Sequence, residues 1–439
     1  MSLSTQPYKG ARDFYPEDKR LQKYLFRVMR ESVERMGYEE YDAPILESFD
    51  IYLAKTGEEI VNEQTYAFED RGGRKVAIRP EMTPTVSRMV AARRQELAYP
   101  LRWYSIPNLW RYERPQRGRL REHWQLNVDL FGVGDTRAEI EIIQTADAIM
   151  KGFGATHDMY QIKLNSRKFM DHIMSDYLGL NATQAHTLAK LIDRMHKMPL
   201  EEFEAEAEAI LAPSQRDAGA TNKLHGLLKT KTLEHLPEVL RAHPSVKELQ
   251  NLMQALRDNN VTNVVFDITL MRGFDYYTDI VFEVFDKHPE NNRSLFGGGR
   301  YDGLVGLFGV EPVPTVGFGM GDVTLQNFLE VHDLMPTLRS ETDVYVVLIG
   351  DVYDKAQRVI REMRTMGLNI AVDFTGRKPD KQIKTASKKD IHYVCFIGEK
   401  ELEEELYTLR NLHTGVEEKH SASRIVSIAR DYRGEKDDL

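Results

Sequence analysis

An apolar stripe near the start of the chain predicts one long amphipathic helix between Glu17 and Met36. Pro16 stands just before this stretch and Gly37 just after it, and these residues favour a helix start and a helix end. The apolar residues that recur at helical spacing are Leu21, Leu25, Val28, Met29, Val33 and Met36. The segment GYEEYDAPILES then predicts a short strand that ends at Pro44, so the helix and strand together are a candidate subunit interface.

Strand-like segments separated by Pro and Gly fill the region from Lys75 to Phe131. We find no helical pattern long enough for a βαβ crossover between them, so we predict an antiparallel sheet here. In HWQLNVDLFG apolar and polar positions alternate strictly, which places Gln125, Asn127 and Asp129 on the face opposite to the core. The preceding segment LRWYSIPNLWRYER can pair with this strand as an antiparallel neighbour. We therefore expect the functional site on the polar face of the sheet.

Two further changes of pattern divide the rest of the chain. Helical segments rich in Lys, Glu and Leu occupy about residues 165–260 and indicate an insertion, after which strand patterns resume. Residues 331–341 have the polar composition of a linker, and residues 342–439 alternate βαβαβ, which predicts a small parallel-sheet domain. The predicted fold is an α+β domain over residues 1–330, with the helical insertion, followed by a separate C-terminal α/β domain.

The composition is that of a globular protein with more than one domain. Its 439 residues are too many for one core of ordinary size. The formal net charge of -9 excludes a uniformly basic surface, so any binding of phosphates must come from local basic patches. The sequence contains no apolar run of about 20 residues, no apolar signal-peptide core at its start and a single cysteine, Cys395. We expect a cytoplasmic protein with no membrane segment.

One local basic patch is the stretch RYERPQRGRLRE, which precedes the alternating strand. Its arginines are opposed only by Glu113 and Glu122, and they are Arg111, Arg114, Arg117, Arg119 and Arg121. Guanidinium groups match phosphate oxygens two at a time, so the cluster favours a polyphosphate ligand; the alternative is a solvated hairpin. The sequence has neither a G-x-x-x-x-G-K-[ST] loop nor a dinucleotide-binding turn. The phosphates are therefore expected to be held by side chains on the sheet.

These segments resemble those of a known enzyme family. RYER with its loop and strand is similar to motif 2 of the class II aminoacyl-tRNA synthetases, and the helix and strand ending at Pro44 resemble their motif 1. LMRGFDYYTDIVFEVF and GGGRYDGL resemble the two signature peptides of the histidyl-tRNA synthetase family. The resemblance covers about residues 8–329 and extends to the C-terminal domain, which is similar to the family's anticodon-binding domain. It implies a catalytic domain of the class II type that activates histidine with ATP.

The resemblance implies roles for several charged residues towards ATP. Arg111 matches the arginine that grips the α-phosphate and the amino-acid carboxylate, and Glu113 matches a carboxylate near the adenine. Arg119 matches a residue that reaches the outer phosphates, and Arg272 matches an arginine that stands in for a catalytic metal. Mg²⁺ is expected with ATP as co-substrate, without a tightly bound cofactor. No protein-bound metal is expected, because the histidines show no ligand spacing.

For histidine the resemblance implies one binding pocket. Glu81 and Thr83 match the pair that binds the α-amino group, with help from Gln125. Asp129 falls where the family usually has a glutamate that faces the imidazole ring. Three tyrosines are expected in the same pocket: Tyr276, Tyr277, which matches a ring-contacting tyrosine, and Tyr301. The alternative for Tyr276 and Tyr277 is that they are ordinary strand aromatics.

One departure from the family pattern concerns ATP. Motif 3 of this class normally ends with an arginine that stacks on the adenine. The segment GFGMGDVTL instead has Asp322 and Thr324 where the family has its glutamate and arginine. A threonine neither stacks on ATP nor pairs with its charge. Either another cation fills this role, or ATP binding is weakened.

Binding of tRNA is expected at two places. In the loop after RYER, Gln116 matches a position that reads the acceptor end of the tRNA. In the C-terminal segment TGRKPDKQIKTASKK, a spacing of three or four residues predicts that one side of a helix carries four basic residues, namely Arg377, Lys381, Lys384 and Lys388. A solvated helix face explains this pattern about as well as RNA does, but the resemblance implies contacts with tRNA.

The leading hypothesis from the sequence is a homodimeric ligase that joins histidine to tRNA(His) through histidyl-adenylate. An alternative is a non-catalytic paralogue with a regulatory role that binds histidine or tRNA. The loss of the motif 3 arginine at Thr324 favours the alternative. Four retained residues oppose it: Arg111, Glu81, Gln125 and Arg272. A third possibility, a nucleotide-dependent ligase of small molecules, leaves the basic C-terminal helix without a role.

Overall fold

The computed structural model describes residues 3–53, 64–271 and 276–437. The chain divides into two compact units, the first with residues up to 15 and 22–335, and the second with residues 16–21 and 336 onwards. The strands of the first unit are β1 (Glu39–Glu40), β2 (Leu46–Ser48), β3 (Tyr66–Glu69), β4 (Lys75–Ile78), β5 (Leu101–Ser105), β6 (Asn108–Trp110), β7 (Glu122–Phe131), β8 (Tyr160–Ser166), β9 (Val264–Phe266), β10 (Ile280–Asp286), β11 (Ser294–Arg300) and β12 (Thr315–Gly321).

The helices begin with α1 (Pro16–Glu34), which runs from the second unit's residues into the first. The others up to residue 335 are α2 (Asp50–Leu53), α3 (Thr83–Ala92), α4 (Arg137–Gly152), α5 (Arg167–His172), α6 (Ala182–Arg194), α7 (Leu200–Ile210), α8 (Pro213–Asp217), α9 (Ala220–Leu228), α10 (Glu238–Arg241), α11 (Pro244–Asp258) and α12 (Asp322–Val331). Helices α5 to α11 lie between β8 and β9 in the sequence and form the helical insertion. The helix predicted over Glu17–Met36 is present, although it ends at Glu34.

A nine-stranded sheet organises the first unit in the order β1-β5-β7-β12-β11-β10-β8-β9, with β6 also paired to β7. Its central pairs are antiparallel, as predicted, whereas the pairs β1·β5 and β8·β9 at its two ends are parallel. The segment before β7 pairs with it as expected, because Trp103 lies opposite Asp129 and Trp110 opposite Glu122. The apolar face of β7 packs against α4, and Leu126, Val128 and Leu130 are buried there. The other face is left for a site.

Helix α3 was not predicted, because the Pro and Gly punctuation of this region was interpreted as turns between strands. The helix begins at Thr83 with Pro84 in its first turn, a position where proline costs no hydrogen bond. Val86 and Val90 are spaced by one helical turn and are fully buried, so the helix packs into the core rather than lying on the surface. A three-stranded sheet with the order β2-β4-β3 lies beside this region in the sequence.

The second unit contains β13 (Val344–Leu348), α13 (Tyr353–Thr365), β14 (Ile370–Asp373), α14 (Pro379–Lys388), β15 (Tyr393–Ile397), α15 (Glu399–Glu404), β16 (Tyr407–Asn411), β17 (Glu417–His420) and α16 (Ala422–Asp437). Its sheet has the order β14-β13-β15-β16-β17. The first three strands are parallel, as the βαβαβ pattern predicted, and β16 and β17 extend the sheet with antiparallel pairs. Cys395 is fully buried on β15. No helix in the described ranges is long and apolar enough to cross a membrane.

Candidate active site

A cavity of about 110 Å³ opens on the polar face of β7. Eight residues that the sequence analysis assigned to the site line it: Glu81, Thr83, Arg111, Gln125, Asp129, Tyr276, Tyr277 and Tyr301. These residues come from segments that are far apart in the chain, and the sheet order is what brings them together. Asn127, which shares the polar face of β7, and Phe318 on β12 also line the cavity, although neither was assigned a role from the sequence.

Glycines form the floor of the cavity beside β7. Gly317 lies opposite Asp129 and Gly319 lies opposite Asn127, and both face the cavity because paired residues in an antiparallel sheet share a face. A β-carbon at Gly317 would collide with the Asp129 carboxylate, and one at Gly319 would collide with the Gln125 amide. Only a glycine leaves room for these polar side chains to lie across the neighbouring strand. This floor was not predicted, although the period-two spacing of glycine in GFGMG is a sequence signal that could have indicated it.

Asp129 is one of the two buried acids of the cavity, with 4% of its surface exposed. Burial raises the pKa of Asp129 to about 7, against the lowering effect of the hydrogen bond that the Tyr301 hydroxyl donates to its Oδ1. Burial and the neighbouring Asp129 also raise the pKa of Tyr301 well above its usual value. The pair therefore holds a carboxyl group that can change its charge near neutral pH, next to a hydroxyl that stays protonated.

A second carboxylate, that of Glu81, also lines the cavity. Glu81 lies two residues before α3, which begins at Thr83, and only 2% of its surface is exposed. The Tyr276 hydroxyl donates a hydrogen bond of 3.3 Å to Oε2 of Glu81. The Tyr276 and Tyr301 rings lie 5.7 Å apart, edge to face. The tyrosines thus connect Glu81 and Asp129, the two buried acids of the cavity.

Gln125 is held in place by its neighbours on β7. Its amide nitrogen donates to Oδ1 of Asn127 at 2.7 Å, and the Asn127 amide nitrogen donates to the Gln125 carbonyl at 3.0 Å. These bonds use the side-chain nitrogen and the backbone carbonyl of Gln125, so its side-chain oxygen can accept a hydrogen bond from a ligand in the cavity. Arg79, which precedes this group in IRPEMTP, is instead a buried structural residue, because its guanidinium donates to the carbonyls of Ala43 and Asn108.

Among the described residues that line the cavity, Arg111 is the one that carries a positive charge. Its Nε donates to the Pro80 carbonyl at 2.9 Å, and its guanidinium forms no ion pair with a carboxylate in the ranges described. The charge is therefore available for an anion. His123 lies on the same face of β7, and burial together with the charges of Arg111 and Arg12 lowers its pKa to about 3. His123 is neutral here and adds no charge. Arg272 lies outside the described residues.

The arginine-rich loop leads away from Arg111 towards β7. Gln116 and Arg119 form a small backbone bridge that tightens it, and Arg119 approaches Glu113 to 3.9 Å. Arg121 has a structural role, since its guanidinium donates to the Tyr8 hydroxyl and lies 4.0 Å from the centre of the Tyr112 ring. The loop thus presents Gln116 and Arg119, and these residues do not line the cavity itself.

Asp322 and Thr324, the two residues that depart from motif 3, bond to other groups of the protein. Asp322 pairs with Arg12 at 2.7 Å and accepts the Trp124 backbone N–H at 3.0 Å. Burial raises the pKa of Asp322, with Arg12 acting in the opposite direction. The Thr324 hydroxyl donates to the Leu295 carbonyl at 2.8 Å. Asp322 and Thr324 therefore stabilise the start of α12, and they do not line the cavity.

The basic residues of the second unit do not all lie on one helix. Helix α14 begins at Pro379, so Arg377 precedes it, and the Arg377 guanidinium bonds to Asp373 and Thr375 instead. The prediction that Arg377 shares the helix face was wrong, because the backbone of Lys378 is extended before the proline. The exposed lysines of α14 that form no ion pair with described residues are Lys381, Lys384 and Lys388.

Within the described ranges, no group of three or more His, Cys, Asp or Glu side chains is arranged to hold a metal ion. The site consists of two buried carboxylates, hydrogen-bonding tyrosines and amides, and an arginine without an acidic partner. It can bind a small cationic and hydrogen-bonding group beside an anionic one.

A mixed sheet with this polar face, a helical insertion and a separate α/β domain defines an aminoacyl-tRNA synthetase of class II. The family profile "Histidyl-tRNA synthetase" matches residues 10–323, and the profile "Anticodon binding domain" matches residues 343–432. The chain belongs to the histidyl-tRNA synthetase family.

Relatives of similar length support this membership. The histidine–tRNA ligase of Leptospira biflexa is 44% identical over 417 residues, which cover 93% of this chain and 94% of that protein. The histidine–tRNA ligase of Thermoplasma volcanium is 36% identical and covers 95% of this chain and 96% of that protein.

Solved structures show the same fold. The histidyl-tRNA synthetase from Nostoc sp. PCC 7120 is similar with a TM-score of 0.81 at 23% identity, covering 98% of this chain and 100% of that one. A Bacillus halodurans protein described as an ATP phosphoribosyltransferase regulatory subunit/histidyl-tRNA synthetase has a TM-score of 0.73 at 22% identity, covering 91% of this chain and 100% of that one. At these identities the likeness concerns the fold alone.

Proposed function

We propose that the protein is a histidine–tRNA ligase. In the first step the histidine carboxylate attacks the α-phosphorus of ATP, the bond from that phosphorus to pyrophosphate breaks, and histidyl-adenylate and pyrophosphate are the products. In the second step a ribose hydroxyl at the 3' end of tRNA(His) attacks the acyl carbon, and AMP leaves. The observation that carries the proposal is the cavity in which Glu81, Asp129 and Arg111 meet. These charges complement the ammonium, imidazole and carboxylate of histidine in one place.

The proposed histidine pose uses both acids. Glu81, with Thr83 and Gln125, receives the α-ammonium group, because carboxylate, hydroxyl and amide oxygens all accept N–H donors. Asp129 receives an imidazole N–H, and three tyrosines enclose the ring: Tyr276, Tyr277 and Tyr301. A side chain without an N–H donor would leave the buried Asp129 with the Tyr301 hydroxyl but without its ligand partner, which is a basis for discrimination.

The proposed ATP pose places the α-phosphate at Arg111, next to the histidine carboxylate. Charge builds up on the phosphate oxygens as the carboxylate attacks, and a fixed guanidinium stabilises that charge in the transition state. The carboxylate nucleophile is already ionised, so no general base is needed. Glu113 is assigned to the adenine side, Arg119 to the outer phosphates and Arg272 to the α-phosphate. Mg²⁺ enters as the partner of ATP.

The proposed tRNA contacts lie at Gln116 in the loop and on α14. Lys381, Lys384 and Lys388 are exposed, and their charges suit contacts with the phosphate backbone. Arg377 supports this proposal less well than the lysines, since Asp373 already pairs with it. A cytoplasmic location goes with this function, in keeping with the free, buried Cys395.

A homodimer is also proposed, with an interface around the strands that follow α1. The apolar stripe of α1, which includes Leu25 and Met29, is buried within the chain itself. The three-stranded sheet, by contrast, leaves Leu46 and Phe68 nearly half exposed on one face. An exposed apolar face of this kind suits a two-fold symmetric contact. Sedimentation equilibrium tests it, because Phe68→Glu should convert a dimer into monomers, and a monomeric wild type would contradict it.

The first experiment is ATP–pyrophosphate exchange by the purified protein with each standard amino acid and magnesium. Exchange with histidine alone supports the proposal, and Glu81→Gln should then raise the KM for histidine strongly. Glu238→Gln, at an exposed position of the helical insertion, is the matched control and should behave like wild type. A folded protein that binds histidine without exchange would contradict the ligase function and favour the regulatory alternative.

A further inference from the structure

Arg293 is a cation that no sequence motif assigned to the site. It lies directly before β11, and its Nη1 donates a hydrogen bond of 2.8 Å to the Arg117 carbonyl of the arginine-rich loop. A β-carbon built on Gly118 would lie 2.6 Å from the same nitrogen, so the guanidinium packs directly against this loop. In the part of the chain that the structure describes, no carboxylate forms an ion pair with Arg293. Its charge is therefore available.

The guanidinium lies beside Thr324, the residue that replaces the usual motif 3 arginine. The Thr324 methyl is 3.7 Å from the β-carbon position of Gly118, so Thr324 and Arg293 both lie within 4 Å of one point. The Asn327 amide nitrogen is 3.6 Å from that point, and within the described ranges it has no hydrogen-bond partner. The short threonine side chain is turned towards Leu295, which leaves this place to Arg293.

We propose that Arg293 binds the nucleotide and supplies the positive charge that Thr324 does not. The inference rests on the proposed function, in which ATP is a substrate. Three observations support it: the guanidinium lies at the arginine-rich loop, it has no acidic partner among the described residues, and it borders the first turn of α12. A guanidinium can pair with phosphate oxygens or stack on a base, whereas a threonine can do neither. The positive charge is then supplied by the residue directly before β11 instead of by a residue of α12.

The test is ATP–pyrophosphate exchange with ATP varied at saturating histidine. Arg293→Ala should raise the KM for ATP by about 10- to 100-fold, the usual effect of losing a charge-assisted hydrogen bond. The KM for histidine should stay near the wild-type value. Arg241→Ala removes an exposed arginine of the helical insertion and is the matched control, with both KM values unchanged. Arg293→Lys, which keeps the charge, should retain part of the ATP affinity.

The double variant Arg293→Ala with Thr324→Arg separates nucleotide binding from loop support. An arginine at residue 324 can supply the charge from α12, but it does not recreate the bond from Arg293 to the Arg117 carbonyl. Recovery of the ATP KM therefore supports the proposal. No recovery, or an Arg293→Ala variant that loses histidine and ATP affinity equally, overturns it in favour of a structural role.

The failure of this inference is distinguishable from failure of the proposed function. A wild-type protein without histidine-dependent exchange refutes the ligase function and this inference with it. Wild-type exchange together with an unchanged ATP KM in Arg293→Ala overturns only the role of Arg293. If Arg293→Ala does not fold, as judged by circular dichroism, the Arg293→Lys variant with and without Thr324→Arg carries the test. Thr324→Arg should then lower the ATP KM of Arg293→Lys, and no effect counts against the proposal.

Discussion

Asp129→Asn should weaken histidine binding while the KM for ATP changes little. Asp129 is 4% exposed, lines the cavity and accepts the Tyr301 hydroxyl at Oδ1, so its other lone pairs can accept a hydrogen bond from a ligand. A hydrogen bond to a charged acceptor contributes about 1.5–3 kcal/mol, and about 1.4 kcal/mol corresponds to a tenfold change in affinity. The KM for histidine should therefore rise about 10- to 150-fold in ATP–pyrophosphate exchange. Equal effects on histidine and ATP would remove Asp129 from the imidazole pocket.

The pH dependence of this effect follows from the buried carboxyl. Burial raises the pKa of Asp129 to about 7, so the wild-type pocket gains its negative charge as the pH rises through that value. The KM for histidine should fall over the same range. The imidazole of free histidine also titrates, at roughly pH 6.5, but its effect on the KM is the same for the wild type and for Asp129→Asn. The ratio of the variant KM to the wild-type KM therefore isolates Asp129, and it should grow from pH 6 to pH 8.

Asp129→Asn should weaken histidine binding but should stabilise the ligand-free protein at pH 8. The folded-state pKa of about 7 lies above the ordinary value of 3.8, so the proton's contribution to stability is fully present below pH 3.8 and is lost as the pH rises through 7. A shift of this size corresponds to about 4 kcal/mol. Asparagine carries no buried charge, so the ligand-free variant should be more stable than wild type at pH 8, by up to about 4 kcal/mol. Denaturant unfolding at pH 8 and pH 4 measures this difference, and a pH-independent difference would refute the reasoning.

Three further predictions concern the floor, the core and the second unit. Gly319→Ala should raise the KM for histidine, because its β-carbon displaces the Gln125 amide, whereas Gly303→Ala meets no atom and should not. Glu139→Gln should lower the free energy of unfolding in denaturant by about 3–5 kcal/mol, because it removes the charge of the buried partner of Arg300, whose other acidic contact, Asp302, is longer at 3.3 Å and partly exposed. The exposed lysines of α14 are Lys381, Lys384 and Lys388. Reversing their charge should raise the KM for tRNA in aminoacylation and leave ATP–pyrophosphate exchange unchanged. An unchanged KM for tRNA would favour a solvated helix face.

The sequence predicted the parts of the fold that depend on local periodicity. The alternation in β7 fixed which face is polar, and the structure has that face towards the cavity. Helix α3 was missed because its ten residues lie among Pro-rich segments, and only the burial of Val86 and Val90 reveals its apolar side. Arg377 was placed on a helix by spacing alone, yet spacing carries no information about where a helix begins. Pro379 sets that start, and the chain before it is extended.

The sequence predicted site residues only where the resemblance to a known family indicated which distant segments come together. Asp129 and Tyr301 are 172 residues apart, and no local pattern predicts their hydrogen bond. Arg293 is the more instructive case, because it lies 176 residues from the loop carbonyl that it contacts and belongs to no motif. A comparison of motifs records that an arginine is missing at Thr324, but it does not detect a guanidinium that reaches the same place from β11. The charge of an active site depends on which side chains lie there in space. The loss of one motif arginine therefore does not establish that the positive charge is lost. For that reason the threonine at motif 3 is weak evidence for a non-catalytic protein.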